Sequence, residues 1–370
     1  MKKNKTIFII AGESSGDLHG AGVMREMKSI DKSIVFIGLG GERMAQQGLQ
    51  SLIPIEKLAV MGFWEVAKNI FFFIKLKKTI LQKIKQTQPD KIILIDYPGF
   101  NLSVAKNIKQ KFNIPIIYYI SPQLWAWKEK RIEHIKQYID KMIVVFPFEK
   151  DWYYKRGVEV EYFGHPVIDT SKQYKYTTLD YNNSINIALC PGSREQEINR
   201  HMPILCKLIK QYPSVVGKKI NFIIIRARGL QKHILTKYLK GLNVTITDET
   251  ILQTFQKIHF GIVASGTASL ESAITTRPLI VVYKMSWISW FITKKFVKIP
   301  FACIVNILAG EKMIPELLQD DFTVKNLKKY LDAYLEEESQ TNYEHKINNI
   351  IELLGSGDSY KKTAEYILNY

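Results

Sequence analysis

Asp96 follows the apolar run "KIILI" (91–95) and opens the turn "DYPGFN". An acid at the C-terminal end of a buried strand either caps the next helix or acts as a general base, and position alone leaves both open. A second turn, "AGESSGDLHGAG" (11–22), places Glu13, Ser15, Asp17 and His19 among glycines that let a ligand approach the backbone. Its plainer reading is a strand-to-helix turn with Ser15 or Asp17 capping the helix. Two further turns have the makings of anion sites. "LCPGSREQEI" (189–198) enters a helix through Gly192, Ser193 and Arg194, which offer helix-start N–H groups and a guanidinium. "ASGTASLESA" (264–273) repeats the arrangement with Ser265, Gly266 and Thr267. Glu271 lies four residues into that helix, where a carboxylate can accept from two vicinal hydroxyls, as on a ribose. Each turn alone could be a capped helix with a solvated charge. Two in one half of the chain point to a nucleoside diphosphate. Neither matches a Walker motif or a GxGxxG fingerprint.

These turns need strands to carry them. Short β-branched runs alternate with helical patterns: "KTIFIIAG", "SIVFIGLGG", "KIILIDYPG", "IPIIYYI", "KMIVVFPF" and "VEYFGHPV". Near-continuous apolar strands in βαβ order predict a parallel sheet covered on both faces. The stretch 168–184 is polar and aperiodic and reads as a linker, after which the alternation restarts. The expectation is α/β, with two doubly wound, Rossmann-like domains facing each other across a cleft. They span 1–168 and 185–355, with a last helix over 356–370 that could pack back on the first. Ligands of open α/β sheets bind at the strand C-termini, where all four turns fall.

The chain has 370 residues, a hydrophobic fraction of 46% and a net charge of +17, which bounds it as globular and asks for an anionic partner. Cys190, Cys206 and Cys303 are widely separated and form no CxxC or metal spacing, so they read as reduced core thiols. The N-terminal apolar run is short and meets Glu13 and Asp17, so it reads as a first strand rather than a signal peptide. No run of eighteen uncharged apolar residues exists to span a membrane. The segment 58–86 does place Phe63, Trp64, Phe71, Phe72 and Phe73 beside six lysines between Lys68 and Lys85, with no acid among them. It reads as a basic amphipathic helix over 63–81 lying on an anionic bilayer, or else as a core helix with a solvated lysine face. The segment 284–301 repeats the composition with Trp287, Trp290, Phe291, Lys294, Lys295 and Lys298.

Nine motifs in order, "AGESSGDLHGA", "VMGFWEV", "DYPGFN", "SPQLWAW", "FPFEK", "GHPVID", "PGSR", "ASGTASLE" and "VNILAG", resemble the lipid-A-disaccharide synthase family over nearly the whole length. These are inverting glycosyltransferases of the GT-B fold. Gly99 stands where the family commonly has Asp, and Val305 where Pro commonly precedes Asn306. The resemblance implies condensation of UDP-2,3-diacylglucosamine with 2,3-diacylglucosamine 1-phosphate (lipid X) to the β-1,6-linked disaccharide 1-phosphate and UDP. It implies Asp96 as the base taking the acceptor 6-hydroxyl proton, and Arg194 with the donors at 192–194 stabilising the pyrophosphate in place of a metal. Ser265, Gly266, Thr267 and Glu271 would hold the nucleotide, and Glu13, Ser15 and Asn306 would contact sugars. The tryptophans of "SPQLWAW" would pack on a sugar or an acyl chain. The expected partners are the two acylated substrates and an anionic membrane surface, with no cofactor, metal or nucleic acid. The expected location is cytoplasmic, peripheral to the inner membrane; the oligomeric state is left open. A MurG-like transferase or a UDP-sugar epimerase is the alternative on the same fold. A basic nucleic-acid-binding protein is the non-enzymatic rival, but the aromatics here sit in apolar helices rather than on an exposed sheet.

Overall fold

The first apolar run forms strand β1 (Thr6–Ala11), buried from Ile7 to Ala11. Its near-continuous burial follows from its place inside a parallel sheet with both faces covered. The computed structural model describes residues 5–53, 70–177, 179, 184–215, 217–296, 299–335 and 340–370. Two units divide the chain: Met1–Asp169 with Leu354–Tyr370, and Thr170–Leu353.

In the first unit β1 is flanked by β2 (Val35–Leu39) and β4 (Lys91–Ile95). Outward from β2 lies β3 (Leu49–Ser51); outward from β4 lie β5 (Ile116–Tyr119), β6 (Lys141–Val144) and β7 (Glu161–Tyr162). Every pair is parallel, and the winding reverses between β1 and β4. In the second unit the parallel order is β11 (Thr245–Thr247), β10 (Lys218–Ile225), β8 (Ser184–Cys190), β12 (Phe260–Ala264), β13 (Leu279–Tyr283) and β14 (Glu316–Leu318). The short β9 (Ser214–Val215) pairs antiparallel with β10. Here the reversal falls between β8 and β12. Each unit therefore has one topological switch point, where adjacent loops diverge and leave room for a ligand.

The helix Ile70–Thr87 packs Leu76, Ile80 and Ile84 into the core of the first unit. Their spacing of four residues is one helical face, and burying each is worth roughly 1.5–3 kcal/mol.

The last helix, Ser359–Asn369, belongs to the first unit, and its two ends are held by side chains there. The Asp169 carboxylate accepts from the backbone N–H of Ser359 at 3.1 Å and of Tyr360 at 2.9 Å. Lys91 Nζ donates to the carbonyls of Ile367 and Leu368 at 2.6 and 3.1 Å. An anion at the N-terminus and a cation at the C-terminus both complement the helix dipole. Between them, Tyr360 Oη lies 2.9 Å from His19 Nδ1. His165 nearby accepts at Nδ1 from the Val167 N–H, 3.1 Å away.

Burial, then Arg43, lowers His19 from 6.5 to about 4, and burial, then His19, lowers His165 to about 3. Both depressed imidazoles bind protons more weakly folded than unfolded. The stability they contribute is present above pH 6.5 and lost as the pH falls toward those values. Chemical denaturation at pH 7 and pH 5 is expected to show a loss of up to roughly 2 kcal/mol per imidazole. A denaturation midpoint unchanged between the two would show that the pair is not held neutral.

Candidate active site

The strand partners Ala11 of β1 and Ile95 of β4 bring two of the acid-bearing turns side by side at the first switch point. Gly12 packs so closely beneath Tyr97 that a Cβ there would lie 2.4 Å from the ring. Glu13 is the extended N-cap of the helix Ser14–Ile30, and Ser15 lies in its first turn; both are half-buried. Burial, with Glu13 as the second cause, pushes the Tyr97 hydroxyl up to about 12. Tyr97 is thus a member of this site that the sequence reading missed.

Asp17 does not cap its own helix. Its carboxylate accepts from the N–H groups of Gly41 at 2.7 Å, Met44 at 3.1 Å and Arg43 at 3.2 Å. It therefore caps the helix Glu42–Gln46, reached only because β1 and β2 are neighbours.

Asp96 and Tyr97 are consecutive left-handed residues, with φ of 45° and 50°. For residues with a Cβ this conformation costs about 1–2 kcal/mol each. The N-cap position of the helix Pro98–Lys109 is Tyr97, one residue beyond Asp96, and its side chain makes no capping bond. The Asp96 N–H donates to the Tyr119 carbonyl at 3.0 Å. Its carbonyl accepts from Asn101 Nδ2 at 2.7 Å and from the Tyr118 hydroxyl at 2.5 Å. Burial first, and Asp96 second, hold Tyr118 well above the ordinary phenol range, so it remains a donor.

Glu149 was also missed. It sits in the first turn of the helix Pro147–Tyr154, after β6, and is 1% exposed. Its Oε1 accepts from Ser121 Oγ at 2.6 Å and from Trp125 Nε1 at 3.0 Å. Its Oε2 accepts from the N–H of Val145 at 3.2 Å and of Phe146 at 3.0 Å. Burial pushes its carboxyl up, and these four bonds oppose the rise. The motifs "SPQLWAW" and "FPFEK" are therefore one structure. Trp125 is anchored, edge-on to Phe148 with centroids 5.0 Å apart. Only Trp127 is exposed, at 42%, with Lys128 Nζ 4.2 Å above its ring.

At the second switch point, Cys190 of β8 pairs with Val263 of β12, so the turns at 191–194 and 265–267 leave adjacent strands on one edge. The expected open N–H groups are not open. Glu197, three residues into the helix Glu195–Gln211, folds back, and its Oε2 accepts from Ser193 N at 2.9 Å and Arg194 N at 3.3 Å. A positive helix end attracts the nearest carboxylate, and Glu at the third helical position is the capping-box place for it. That spacing was readable in "SREQE". Gly192 has a φ of 120°, and a Cβ there would meet Glu197 Oε2 at 2.4 Å, so glycine is required. The Arg194 guanidinium lies 3.6 Å from Glu197 and keeps 57% of its surface exposed.

His201, fully buried, ties this turn to the end of β13. Its Nδ1 lies 2.7 Å from the Pro191 carbonyl and its Nε2 accepts from Lys284 N at 2.9 Å, which defines a neutral ring protonated at Nδ1. Burial lowers its pKa in keeping with that form. In the neighbouring turn, Gly266 and Thr267 are exposed, while Ser265 Oγ donates to the Ala302 carbonyl at 2.8 Å. Burial raises the Cys190 thiol and the Tyr176 hydroxyl, and the half-buried Glu271 adds to both shifts.

Two expectations need correction. Asn306 is fully buried and braces its own unit instead of facing a sugar. Its Nδ2 donates to Ile314 O and Glu316 Oε1 at 2.9 and 2.8 Å, and its Oδ1 accepts from the N–H of Met313 and Ile314 at 3.1 and 2.8 Å. Phe72 and Phe73, expected on the bilayer side, are half-buried. Both pack on the first core, and Phe73 meets Phe100 with centroids 5.7 Å apart. On the same helix Phe71 and Ile74 stay exposed, at 81% and 43%, beside the exposed Lys75 and Lys78. Phe63 and Trp64 lie outside the described residues. Among the described residues no group of three or more His, Cys, Asp and Glu side chains is placed to hold a metal ion.

A family model described as lipid-A-disaccharide synthetase matches residues 7–369. The chain belongs to the lipid-A-disaccharide synthase family. It is a glycosyltransferase, specifically a hexosyltransferase. Lipid-A-disaccharide synthase 1 of Legionella pneumophila (strain Lens) is 36% identical over 362 residues, covering 95% of this chain and 93% of that protein. The lipid-A-disaccharide synthase of Geobacter sulfurreducens is 34% identical over 376 residues, covering 98% and 96%. Among solved structures, UDP-GlcNAc 2-epimerase from Neisseria meningitidis bound to UDP-GlcNAc aligns with a TM-score of 0.65 at 15% identity, covering 99% of this chain and all of that one. MurG of Acinetobacter baumannii aligns at 0.55 and 11%, covering both chains in full. At such identities these neighbours speak for the fold, which is GT-B. The family membership favours the lipid A reaction over the epimerase and MurG-like alternatives.

Proposed function

We propose that this synthase-family chain joins UDP-2,3-diacylglucosamine to 2,3-diacylglucosamine 1-phosphate with inversion at the anomeric carbon. The observation that carries the assignment is the pair of switch points, one bearing acids and the other bearing Arg194 and Glu271. The acceptor O6 attacks C1 of the donor as the C1–O bond to the diphosphate breaks. Asp96 takes the O6 proton, and UDP departs with the bonding pair. Negative charge on the leaving diphosphate is met by the Arg194 guanidinium. The N–H groups of Ser193 and Arg194 could join only if Glu197 moved aside. Glu271 receives the ribose hydroxyls beside the 265–267 turn, and Glu13 and Ser15 contact the acceptor sugar. Incubation with both acylated substrates and mass spectrometry for the disaccharide and UDP tests the reading. Turnover of UDP-GlcNAc without acyl chains, and none of the acylated donor, would return the epimerase or MurG-like alternative.

Substrates with acyl chains are met at a lipid surface, because each CH₂ drawn into water costs ~0.8 kcal/mol. No helix among the described residues is long and apolar enough to cross a membrane. The contact is therefore assigned to exposed rings beside lysines. Phe71 neighbours the exposed Lys75 and Lys78, while Trp287 and Phe291, 79% and 62% exposed and stacked 6.2 Å apart, neighbour Lys294 and Lys295. Replacing Phe71, Trp287 and Phe291 by Ser is expected to weaken binding to anionic vesicles by at least about tenfold. It should leave UDP affinity unchanged, and the remaining binding should fall further with added salt. Vesicle binding equal to the parent protein's would remove these rings from the contact.

A further inference from the structure

The turn that carries Asp96 is strained. Asp96 and Tyr97 both have left-handed backbones, and Pro98 follows at once, which restricts Tyr97 further. Neither residue is glycine. Side chains bonded to the carbonyls on either side of the Asp96 Cα hold the conformation.

Asn101 supplies the first of these. It is fully buried one turn into the following helix, and its Nδ2 donates to the carbonyl of Ile95 at 3.1 Å and of Asp96 at 2.7 Å. Tyr118, fully buried in β5, reaches the same Asp96 carbonyl at 2.5 Å. With the Asp96 N–H tied to Tyr119, both peptide groups of Asp96 are pinned and its Cα–Cβ direction is set. Asn101 Oδ1 is buried with no hydrogen-bond partner among the described residues. Both hydrogen bonds of this amide are donated to the backbone on either side of the Asp96 Cα.

We propose that Asn101 and Tyr118 are positioning residues that hold the Asp96–Tyr97 turn in its left-handed form and thereby aim the Asp96 carboxylate at the acceptor hydroxyl. The inference rests on the reading of Asp96 as the base. Neither residue touches substrate; each acts through Asp96. An error of about 1 Å in the position of a reacting group costs on the order of 100-fold.

The test compares Asn101→Leu, Tyr118→Phe and Asp96→Asn, and each of the first two combined with the third, in the full-length chain. Asn101→Leu keeps the branched heavy-atom skeleton and removes the donors; Tyr118→Phe removes one oxygen. Each is expected to lower kcat by about 10- to 100-fold, with one UDP bound per chain at unchanged Kd. In the Asp96→Asn background neither should slow the enzyme further, because there is no base left to aim. A purely structural role would give losses that multiply. Parent-like kcat in the single variants, or multiplying losses, would overturn the proposal while leaving Asp96 as the base. Parent-like turnover of Asp96→Asn would overturn the base assignment and this inference with it. If Asn101→Leu does not fold, Tyr118→Phe carries the same comparison.

Discussion

Asp96→Asn is expected to lose between ~10²- and 10⁴-fold in turnover, the range a positioned general base contributes. The substitution is nearly isosteric. The bonds that fix residue 96 use its backbone N–H and carbonyl, so the turn should keep its shape. UDP affinity should also persist, because the turns assigned to the nucleotide belong to the other unit. Steady-state rates together with calorimetric titration of UDP check both halves. An enzyme within a few-fold of the parent would exclude Asp96 as the base.

Glu149→Ala carries the largest expected loss of stability, roughly 3–5 kcal/mol, because its buried donors lose their common acceptor. Four donors converge on this carboxylate, and each buried donor left unpaired costs about 1–3 kcal/mol, less where water enters the hole. The melting temperature should fall by on the order of 10 °C. The emission of Trp125 should shift as its indole N–H loses its partner. Glu149→Gln should lie between, because one amide oxygen can still accept. A loss below about 1 kcal/mol would mean that the 121–127 loop does not depend on Glu149.

The second effect shows why some of the site could be read in advance and some could not. Ser121 and Trp125 lie 28 and 24 residues before Glu149. No local pattern joins them until β5 and β6 are neighbours in the sheet. Asp17 is similar, being a helix cap whose helix begins at Glu42.

What the sequence determined by itself was local and periodic. Apolar runs of β-branched residues between helical segments specify buried parallel strands, because alternation of that kind has few other ways to bury its surface. The turns after β1, β4, β8 and β12 were legible as strand-to-helix turns because their chemistry depends on nearby residues. Tertiary structure alone decided the rest. It set which turns became neighbours, through the order of strands in each sheet. It set that Phe72 and Phe73 are half-buried against the core while Phe71 is exposed, because a helix with apolar residues on more than one side buries the side its neighbours cover. It also set that Asn306 faces inward, because the N–H groups of Met313 and Ile314 need an acceptor where solvent does not reach.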